Sequence, residues 1–297
     1  MKLIYRLLCL PVVNTLLVAI VKLLRPVLPA SIVNFIPVTG SVKVQLPGGQ
    51  SLSLLSDGRD WIATLIAWNG LDGFEPETIR IYLQLLENTG TVLDIGANTG
   101  LYALIAAAHR PSRAIYAFEP LPGAFDRLVR NVEANGLRNI TPVQAAVANF
   151  DGEVALYVPD KVVVPRSAST LQGFRKAAQT LTVPALKLDT YVESNRIEQI
   201  DLLKVDTERT EHLVLQGAQN LLARDRCAII CEVLDREKEN DLQAIFQEMG
   251  YAYFLISAHG LVRQERIVSD PAGKYANYLL VAEDRIPALL QGVAQHV

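Results

Sequence analysis

The stretch VLDIGANTGLY (92–102) carries the strongest local signal in this 297-residue chain. Its first residues predict a buried strand that ends at Ile95, and the residues after the turn predict a helix that begins near Thr99 or Gly100. Gly96 permits a tight backbone approach, and the free N–H groups at the start of the helix favour an anionic ligand group. This strand–turn–helix unit is typical of the cofactor site in doubly wound α/β sheets.

An acid follows the glycine turn at the distance that a ribose-binding residue requires. Glu119 ends the next apolar run, 19 residues after Gly100, and dinucleotide folds place a ribose-binding acid about 20 residues after the turn. The nicotinamide fingerprint needs a middle glycine, where this chain has Asn98. Asp94, two residues before Gly96, would repel a pyrophosphate but would suit an ammonium group. S-adenosylmethionine (SAM) has an ammonium, a sulfonium and a ribose diol but no phosphate, so the sequence favours SAM.

Short apolar runs alternate with helical periods downstream of this turn, which predicts a parallel, doubly wound sheet. Residues 151–188 interrupt the alternation with two more strand candidates around the polar loop VPRSASTLQGF. The seven main strand candidates are TVLDI (91–95), AIYAFE (114–119), ITPVQAAV (140–147), IDLLKVD (200–206), CAIICEV (227–233), AYFLIS (252–257) and NYLLVA (277–282), and the predicted helices are 99–109, 122–135, 208–223 and 237–249.

Two smaller units precede the sheet. Residues 41–56 alternate on both sides of a Pro-Gly-Gly turn, which predicts a β-hairpin, and residues 59–70 and 76–90 carry the apolar spacing of two helices. The sequence therefore divides into three parts. They are an N-terminal hydrophobic, basic segment (1–38), a hairpin with two helices (39–90) and the sheet domain (91–285).

The N-terminal segment differs from the rest of the chain in charge and hydropathy. The first 56 residues hold five basic residues and no acid, while the whole chain carries a net charge of -3. Leu7–Leu24 is an apolar run close to the roughly 20 residues that a spanning helix needs. A helix lying on the membrane, with Lys22 and Arg25 at the head groups, fits as well as a spanning helix. A helix packed on the domain is the third interpretation, and the sequence leaves all three open.

Composition argues against a nucleic-acid-binding protein and against a metal site at the cysteines. The slightly acidic balance argues against a nucleic-acid partner, whose binding proteins usually carry a basic patch. Cys227 and Cys231 lie in an apolar run with no histidine nearby, so we expect buried side chains and no metal site. The low cysteine count favours a reducing, cytoplasmic compartment. If the N-terminal segment is an interfacial helix, residues 1–30 would contact the inner face of the membrane.

Several stretches together resemble the FkbM-type family of SAM-dependent methyltransferases, from about Val44 to Ala282. The resemblance implies a class I methyltransferase fold, which is a Rossmann-like, seven-stranded doubly wound sheet whose last strand is antiparallel. It also implies methyl transfer from SAM to a hydroxyl of a sugar, glycolipid or natural product. The stretches are VLDIGANTGLY, AFEP, AAVANFDGEVALYV, LKLDTYV and IDLLKVDTE with HLVLQGA.

The resemblance also assigns the SAM site by position. The glycine turn would line the methionine end of SAM, Glu119 and Pro120 would lie at the ribose, and Ala146 would lie beside the adenine. The expected cofactor-binding residues are Asp94, Gly96, Ala97, Asn98, Gly100, Glu119, Pro120 and Ala146.

The acidic stretch KVDTERTE (204–211) follows a strand expected beside the glycine turn. O-methylation removes a hydroxyl proton as the oxygen attacks the methyl carbon, so a carboxylate positioned there could act as the general base. Asp206 is the first candidate and Glu208 the second. Glu211 is interpreted as a helix-dipole or surface acid, because acids in a first helical turn interact favourably with the macrodipole.

Arg209 departs from the resembling family, whose pattern after the strand is aspartate-x-glutamate-glycine. Arginine there could narrow the acceptor pocket, bind an acidic acceptor or mark a silent protein. His212 and Glu232 are weaker candidates. His212 is more typical of a surface residue, and Glu232 could equally face the acceptor site or form an ion pair. The sequence thus favours a SAM-dependent O-methyltransferase over a silent SAM-binding scaffold and over a nicotinamide-dependent oxidoreductase.

Overall fold

The computed structural model describes residues 2–159, 170, 177–234, 238–247, 249–291 and 295–296. Its helices are α1 Lys2–Leu8, α2 Pro11–Leu24, α3 Ala30–Val33, α4 Trp61–Asn69, α5 Pro76–Leu86, α6 Leu101–His109, α7 Pro122–Ala134, α8 Leu188–Ser194, α9 Glu211–Gln216, α10 Gln219–Asp225, α11 Glu239–Phe246 and α12 Ile286–Leu289. Its strands are β1 Thr39–Gln45, β2 Ser51–Asp57, β3 Thr91–Ile95, β4 Ala114–Phe118, β5 Ile140–Val143, β6 Ala146–Val147, β7 Gly152–Pro159, β8 Ala177–Leu186, β9 Leu202–Val205, β10 Ala228–Glu232, β11 Tyr251–Ser257, β12 Gly260–Gln264, β13 Asn277–Ala282 and β14 Gln295–His296.

The main sheet is built around five parallel strands. Its order over the described residues is β14-β12-β11-β13-β10-β9-β3-β4-β5. The pairs β5·β4, β4·β3, β3·β9 and β9·β10 are all parallel, so these strands end at one edge of the sheet. The chain order reverses between β3 and β9, and such a reversal opens a crevice beyond the carboxyl ends of the strands.

The predicted class I methyltransferase sheet is confirmed, including its antiparallel strand. β13 pairs antiparallel with both β10 and β11. The sequence analysis did not predict β12 and β14, which add two strands beyond β11 at the edge of the sheet. β12 forms a hairpin with β11, and the turn between the two strands runs only from Ser257 to Gly260. Because this turn is so short, the sequence pattern did not separate β12 from β11.

Apolar cores lie on both faces of the sheet. Along β3, Val92 belongs to one buried cluster while Leu93 and Ile95 belong to the other, because successive strand residues point to opposite faces. The first cluster also receives Val21 and Val44 from the regions before the sheet. The division of the chain into three parts at 38 and 90 stays a prediction.

The predicted hairpin is confirmed as the antiparallel pair β1–β2. Asn131 of α7 and Asn135, the residue directly after this helix, bind the edge of β2 that does not pair with β1. Asn131 accepts the backbone N–H of Leu55 at 2.7 Å, and Asn135 accepts that of Ser53 at 2.8 Å. Asn131 also donates to the carbonyl of Thr99 at 2.8 Å, so one buried side chain connects the hairpin to the glycine turn.

The predicted single strand over 140–147 is wrong, because it forms two strands in different sheets. β5 closes the main sheet, where Pro142 lies on an edge strand that needs no donor from it. The Ala145 N–H then bonds the Val143 carbonyl, which turns the chain, and Ala146 pairs with Ala185 of β8. The predicted strands around 151–188 are β7 and β8. Apart from Thr170, the loop 164–174 lies outside the described residues.

The predicted helix over 208–223 is also wrong at its start and in its middle. Glu208 and Arg209 have positive φ angles and are not helical, so α9 begins at Glu211. The helix breaks at Gly217, where a Cβ would lie 2.1 Å from the carbonyl oxygen of Ala148. This close backbone contact separates α9 from α10.

The N-terminal run forms two helices, α1 and α2, separated at Cys9 and Leu10. Within the part of the chain that the structure describes, none of the helices has both the length and the apolar character needed to cross a membrane.

Candidate active site

A cavity of about 400 Å³ opens at the reversal of strand order, beyond the ends of β3, β4, β9 and β10. Nine of the ten sequence-predicted site residues line it. They are Asp94, Gly96, Ala97, Asn98, Glu119, Pro120, Ala146, Asp206 and Glu208.

Gly96 directly follows β3 and lies against the backbone of Asp206, which directly follows β9. Its φ is 81°, and a Cβ there would lie 1.9 Å from the carbonyl oxygen of Asp206. No other residue type fits without moving this backbone. Gly100, the tenth predicted residue, does not line the cavity. It has a φ of 86° as the residue before α6, and a Cβ would lie 2.4 Å from Leu128, so it is needed for the turn and for packing.

Glu119 is held in a fixed position at the end of β4. Its carboxylate accepts the backbone N–H of Asn98 at 2.8 Å on one oxygen and that of Leu121 at 2.8 Å on the other. Burial raises the pKa of Glu119 to about 7, against the two hydrogen bonds, which lower it. Each carboxylate oxygen keeps a lone pair for a hydroxyl donor of a ligand.

Asp94 lies buried where β3 meets α6. Its carboxylate accepts the backbone N–H of Ala103 at 3.0 Å, in the first turn of α6. Burial raises the pKa of Asp94 to about 7, and the nearby Lys204 opposes this rise. The carboxyl therefore loses its proton close to neutral pH and gains from any cation placed beside it.

Lys204 is the buried cation of the site, with only 1% of its surface exposed. It lies opposite Asp94 in the β3·β9 register. Its Nζ lies 3.2 Å from Asp206 Oδ2 and 3.4 Å from Asn277 Oδ1, and 5.1 Å from the centre of the Tyr102 ring. Burial alone would lower the pKa of Lys204, but the surrounding carboxylates raise it above its ordinary value.

Four carboxylates surround this ammonium. Besides Asp206 and Asp94 they are Glu75, which accepts the Tyr102 hydroxyl, and Glu232 at the end of β10. Burial first, and then the neighbouring Asp206, raise the pKa of Glu232 well above its ordinary value. Its Oε2 is buried without a hydrogen-bond partner among the described residues.

This charge balance identifies the type of ligand that the cavity accepts. One ammonium does not offset the burial of four carboxyl groups, so the pKa values of Asp94, Glu75 and Glu232 are raised and ionising these groups is costly. A cationic ligand favours the ionised carboxylates, whereas a pyrophosphate disfavours them. The residues present therefore fit SAM, with its ammonium, sulfonium and ribose diol, better than a nicotinamide dinucleotide.

Sequence reasoning missed Glu75, Tyr102 and Asn277 and ranked Glu232 low. Glu75 precedes α5 with a φ of 42°, far in sequence from the glycine turn, so no local pattern points to it. Lys204 gave a signal that was not used. It is a charged residue inside the apolar run of a central strand, and buried charges are retained where they are paired.

The loop from Asp206 to Thr210 is held by Glu211. One oxygen of Glu211 accepts the Thr207 N–H at 2.8 Å, the Thr207 hydroxyl at 3.1 Å and the Arg209 N–H at 3.2 Å. Glu211 is only 4% exposed, so its interpretation as a surface acid is wrong. His212 is buried too, which contradicts its interpretation as a surface residue. Glu211 thus fixes the backbone that carries Asp206 and Glu208.

The opposite side of the cavity carries a second polar group, from the start of α4 and from α7. Asp60 accepts the Ala63 N–H at 3.0 Å through one oxygen and so caps α4. Its other oxygen and the Nε of Arg127 are buried with no hydrogen-bond partner within the described ranges. Both residues line the cavity and remain able to bind polar groups of a ligand. No cluster of three or more His, Cys, Asp or Glu suited to a metal ion occurs in the described part of the chain.

Comparison with known proteins identifies a family. The methyltransferase FkbM domain matches residues 94–255. The hexuronic acid methyltransferase AglP of Haloferax volcanii is 28% identical over 151 residues, which is 50% of this chain and 58% of that protein. The 31-O-demethyl-FK506 methyltransferase FkbM of Streptomyces tacrolimicus is 25% identical over 172 residues, 48% of this chain and 66% of that protein.

The crystal structure of a methyltransferase FkbM from Methylobacillus flagellatus KT aligns with a TM-score of 0.44 and 13% identity, covering 65% of this chain and 43% of that one. This chain spans about 58% of the length of the archaeal relative. Because the domain match covers more than half of the chain, this protein belongs to the family of FkbM-domain methyltransferases, whose methyl donor is SAM.

Proposed function

We propose that this protein transfers a methyl group from SAM to a hydroxyl oxygen of a sugar, glycolipid or natural product. The observation that carries the proposal is the position of Asp206. It ends β9 beside the Gly96 turn, is paired with the buried Lys204 at 3.2 Å and lines the acid-rich cavity. Two relatives act on acceptors of these classes by their names, a hexuronic acid and a demethylated FK506.

The proposed cofactor site follows the walls of the cavity. Asp94, Gly96, Ala97 and Asn98 would hold the methionine end. Glu119 and Pro120 would hold the ribose, and Ala146 would lie beside the adenine. SAM supplies an electrophilic methyl group when bound. The buried carboxylates beside Lys204 support a positively charged group at this position.

Asp206 is the proposed general base. About a quarter of its side chain is exposed to the cavity, while Lys204 beside it is buried and fixed by Asn277 and the Tyr102 ring. Lys204 therefore orients the carboxylate. In the proposed step the acceptor hydroxyl would pass its proton to an oxygen of Asp206 while the hydroxyl oxygen forms the new bond to the methyl carbon. The bond between that carbon and the sulfonium sulfur would break, and S-adenosylhomocysteine would leave. Glu208, on the same loop and lining the same cavity, is the second candidate for this role.

The cytoplasm is the proposed compartment. Cys9, Cys227 and Cys231 are all free thiols, and the last two are buried in the core. Thiols that stay unpaired are typical of a reducing environment.

Methyl transfer from labelled SAM to a panel of uronic-acid saccharides and hydroxylated macrolides tests the proposal. Wild-type protein is expected to label at least one acceptor class. Asp206→Asn is expected to lower kcat by roughly 10²–10⁴-fold, the range for loss of a general base, and to weaken SAM binding by far less than that. Glu208→Gln is the matched control on the same loop. A larger loss of kcat in Glu208→Gln than in Asp206→Asn would assign the general base to Glu208 instead. Tight SAM binding without transfer to any member of the panel would contradict the proposed activity and favour a scaffold.

A further inference from the structure

Exposed apolar side chains are concentrated in one part of the molecule. Within the described residues fourteen large apolar side chains are exposed, and eleven of them lie between residues 7 and 35. Single exposed apolar residues are normal on a protein surface, but a contiguous group marks an interaction surface. We call these eleven residues the apolar face. They are Leu7, Leu10, Val12, Val13, Leu16, Ile20, Leu23, Leu24, Val27, Ile32 and Phe35.

Helix α2 has two apolar sides, and only one of them packs on the protein. At about 100° per residue, Asn14, Leu17, Val18 and Val21 share the side that faces the core, where Val21 is buried. The exposed side chains of the apolar face that belong to α2 fall on a second arc of about 120°. Thr15, Ala19 and Lys22 occupy the remaining arc. The second apolar arc is therefore additional to what the fold needs.

Asn14 prevents α2 from rotating to bury that second arc. Its amide donates to the carbonyls of Leu8 and Pro37, at 2.8 Å each. Its carbonyl accepts the N–H of Thr39 at 2.8 Å and the Thr39 hydroxyl at 3.0 Å. A buried amide with four partners fixes the orientation of the helix, because rotation would leave these groups unpaired.

The charges around the apolar face indicate what covers it. No acidic residue occurs before Asp57, and Arg6, Lys22 and Lys43 are exposed. A protein surface that covers an apolar face does not require this one-sided charge, whereas anionic lipid head groups favour it by about 1 kcal/mol per basic residue near the surface. The 14 residues of α2 extend about 21 Å, less than the roughly 30 Å of a bilayer core, which suits a helix that lies along the interface.

The apolar face also lies next to the cavity. The ring of Phe35 packs 5.6 Å from the ring of Trp61, which lines the cavity. The hydroxyl of Tyr5 donates to the carbonyl of Gly58, directly before Arg59, which lines the cavity as well. A surface that binds the apolar face would therefore lie close to this part of the cavity wall.

We propose that the apolar face docks this protein on the interface of an anionic lipid bilayer, with α2 lying parallel to the membrane plane. This inference does not depend on the methyl-transfer reaction. It assigns residues 7–35 a partner that the family membership does not supply.

Vesicle flotation with the full chain tests the proposal. Binding is expected to vesicles of phosphatidylcholine mixed with phosphatidylglycerol, and to weaken as salt is added. The Ile20→Ser/Leu23→Ser variant removes two side chains that are 55% and 80% exposed and should lower the partition coefficient by roughly tenfold or more. Phe150→Ser/Val268→Ser, which removes two exposed apolar side chains elsewhere, should bind as the wild type does. Lys22→Glu should weaken binding to the anionic vesicles only.

Two results would overturn the proposal. One is equal flotation of the two double-serine variants. The other is a concentration-dependent dimer in size-exclusion chromatography that the Ile20→Ser/Leu23→Ser variant abolishes, because the apolar face would then be covered by a second copy of the chain. Circular dichroism of each variant verifies that it is folded, since the substituted side chains are exposed and their loss leaves the core intact.

Discussion

Arg209 occupies a backbone conformation that suits glycine. Its φ is 79°, directly after Glu208 with a φ of 56°, and the left-handed region costs a residue with a Cβ roughly 1–2 kcal/mol. The resembling family has glycine at this position, so the loop geometry accounts for the family pattern. Glu211, which accepts the Arg209 N–H, holds the strained backbone in place.

Two substitutions of Arg209 distinguish the energetic cost of its backbone conformation from the contribution of its side chain. Arg209→Gly and Arg209→Ala lose the same guanidinium, but only alanine keeps the Cβ in the left-handed region. We expect Arg209→Gly to be more stable than Arg209→Ala by about 1 kcal/mol, after allowing for the greater freedom of glycine in the unfolded chain. Urea unfolding measures the difference, and equal stability of the two variants would contradict a strained Arg209.

Binding of SAM is expected to depend on pH through Asp94 and Glu119. Burial raises the pKa of each carboxyl to about 7, so each becomes protonated as the pH falls through 7. A cationic ligand favours the ionised carboxylate and releases a proton on binding. The affinity for SAM should therefore fall below pH 7, by up to about tenfold per pH unit for each proton released, and level off above it.

Calorimetric titrations at several pH values measure this dependence. Asp94→Asn removes one of the two titrating carboxyls and should make the curve shallower while lowering the affinity at high pH. An affinity for SAM that stays constant between pH 6 and 8 would show that neither carboxyl changes its ionisation on binding.

At the scale of elements, Asn14 fixes helix α2 on the hairpin. Replacing it with alanine leaves the buried Pro37 carbonyl and the half-buried Thr39 N–H without these bonds. We expect Asn14→Ala to lower the free energy of unfolding by about 2–4 kcal/mol, since each unpaired buried group costs about 1–3 kcal/mol. Thr15→Ala is the control, because Thr15 is exposed and its hydroxyl donates to the Pro11 carbonyl in its own helix. It should change stability by less than about 0.5 kcal/mol. Similar losses in thermal unfolding of the two variants would contradict this role of Asn14.

Elements with a local signal were predictable from the sequence, and those set by distant contacts were not. β3, the Gly96 turn and Glu119 form one continuous unit with a fixed spacing, so the sequence located that part of the site. The predicted start of helix α9 was wrong for a local reason that the residue pattern does not show, because Glu211 accepts the N–H groups of Thr207 and Arg209 and holds this loop outside the helix. Glu75 reaches the site from a different element, and no pattern around it indicates that contact.

At the scale of the whole molecule, a buried excess of carboxylates lies at the point where the strand order reverses. Asp94, Asp206 and Glu232 come from the ends of three neighbouring strands, β3, β9 and β10, and Glu75 comes from the start of α5. The sheet brings the first three together through its parallel order, and Lys204 stabilises them only in part. The charge of the ligand is therefore the property for which this site is best suited to select.

Calorimetric titration of the purified protein with SAM and, separately, with NAD tests this claim most directly. We expect SAM to bind with a Kd in the range of about 1–100 μM, equivalent to about −8 to −5.5 kcal/mol, and NAD to give no measurable heat. Tight binding of NAD together with no binding of SAM would contradict it, because an anionic pyrophosphate would then occupy a cavity lined by Asp94, Asp206, Glu75 and Glu232.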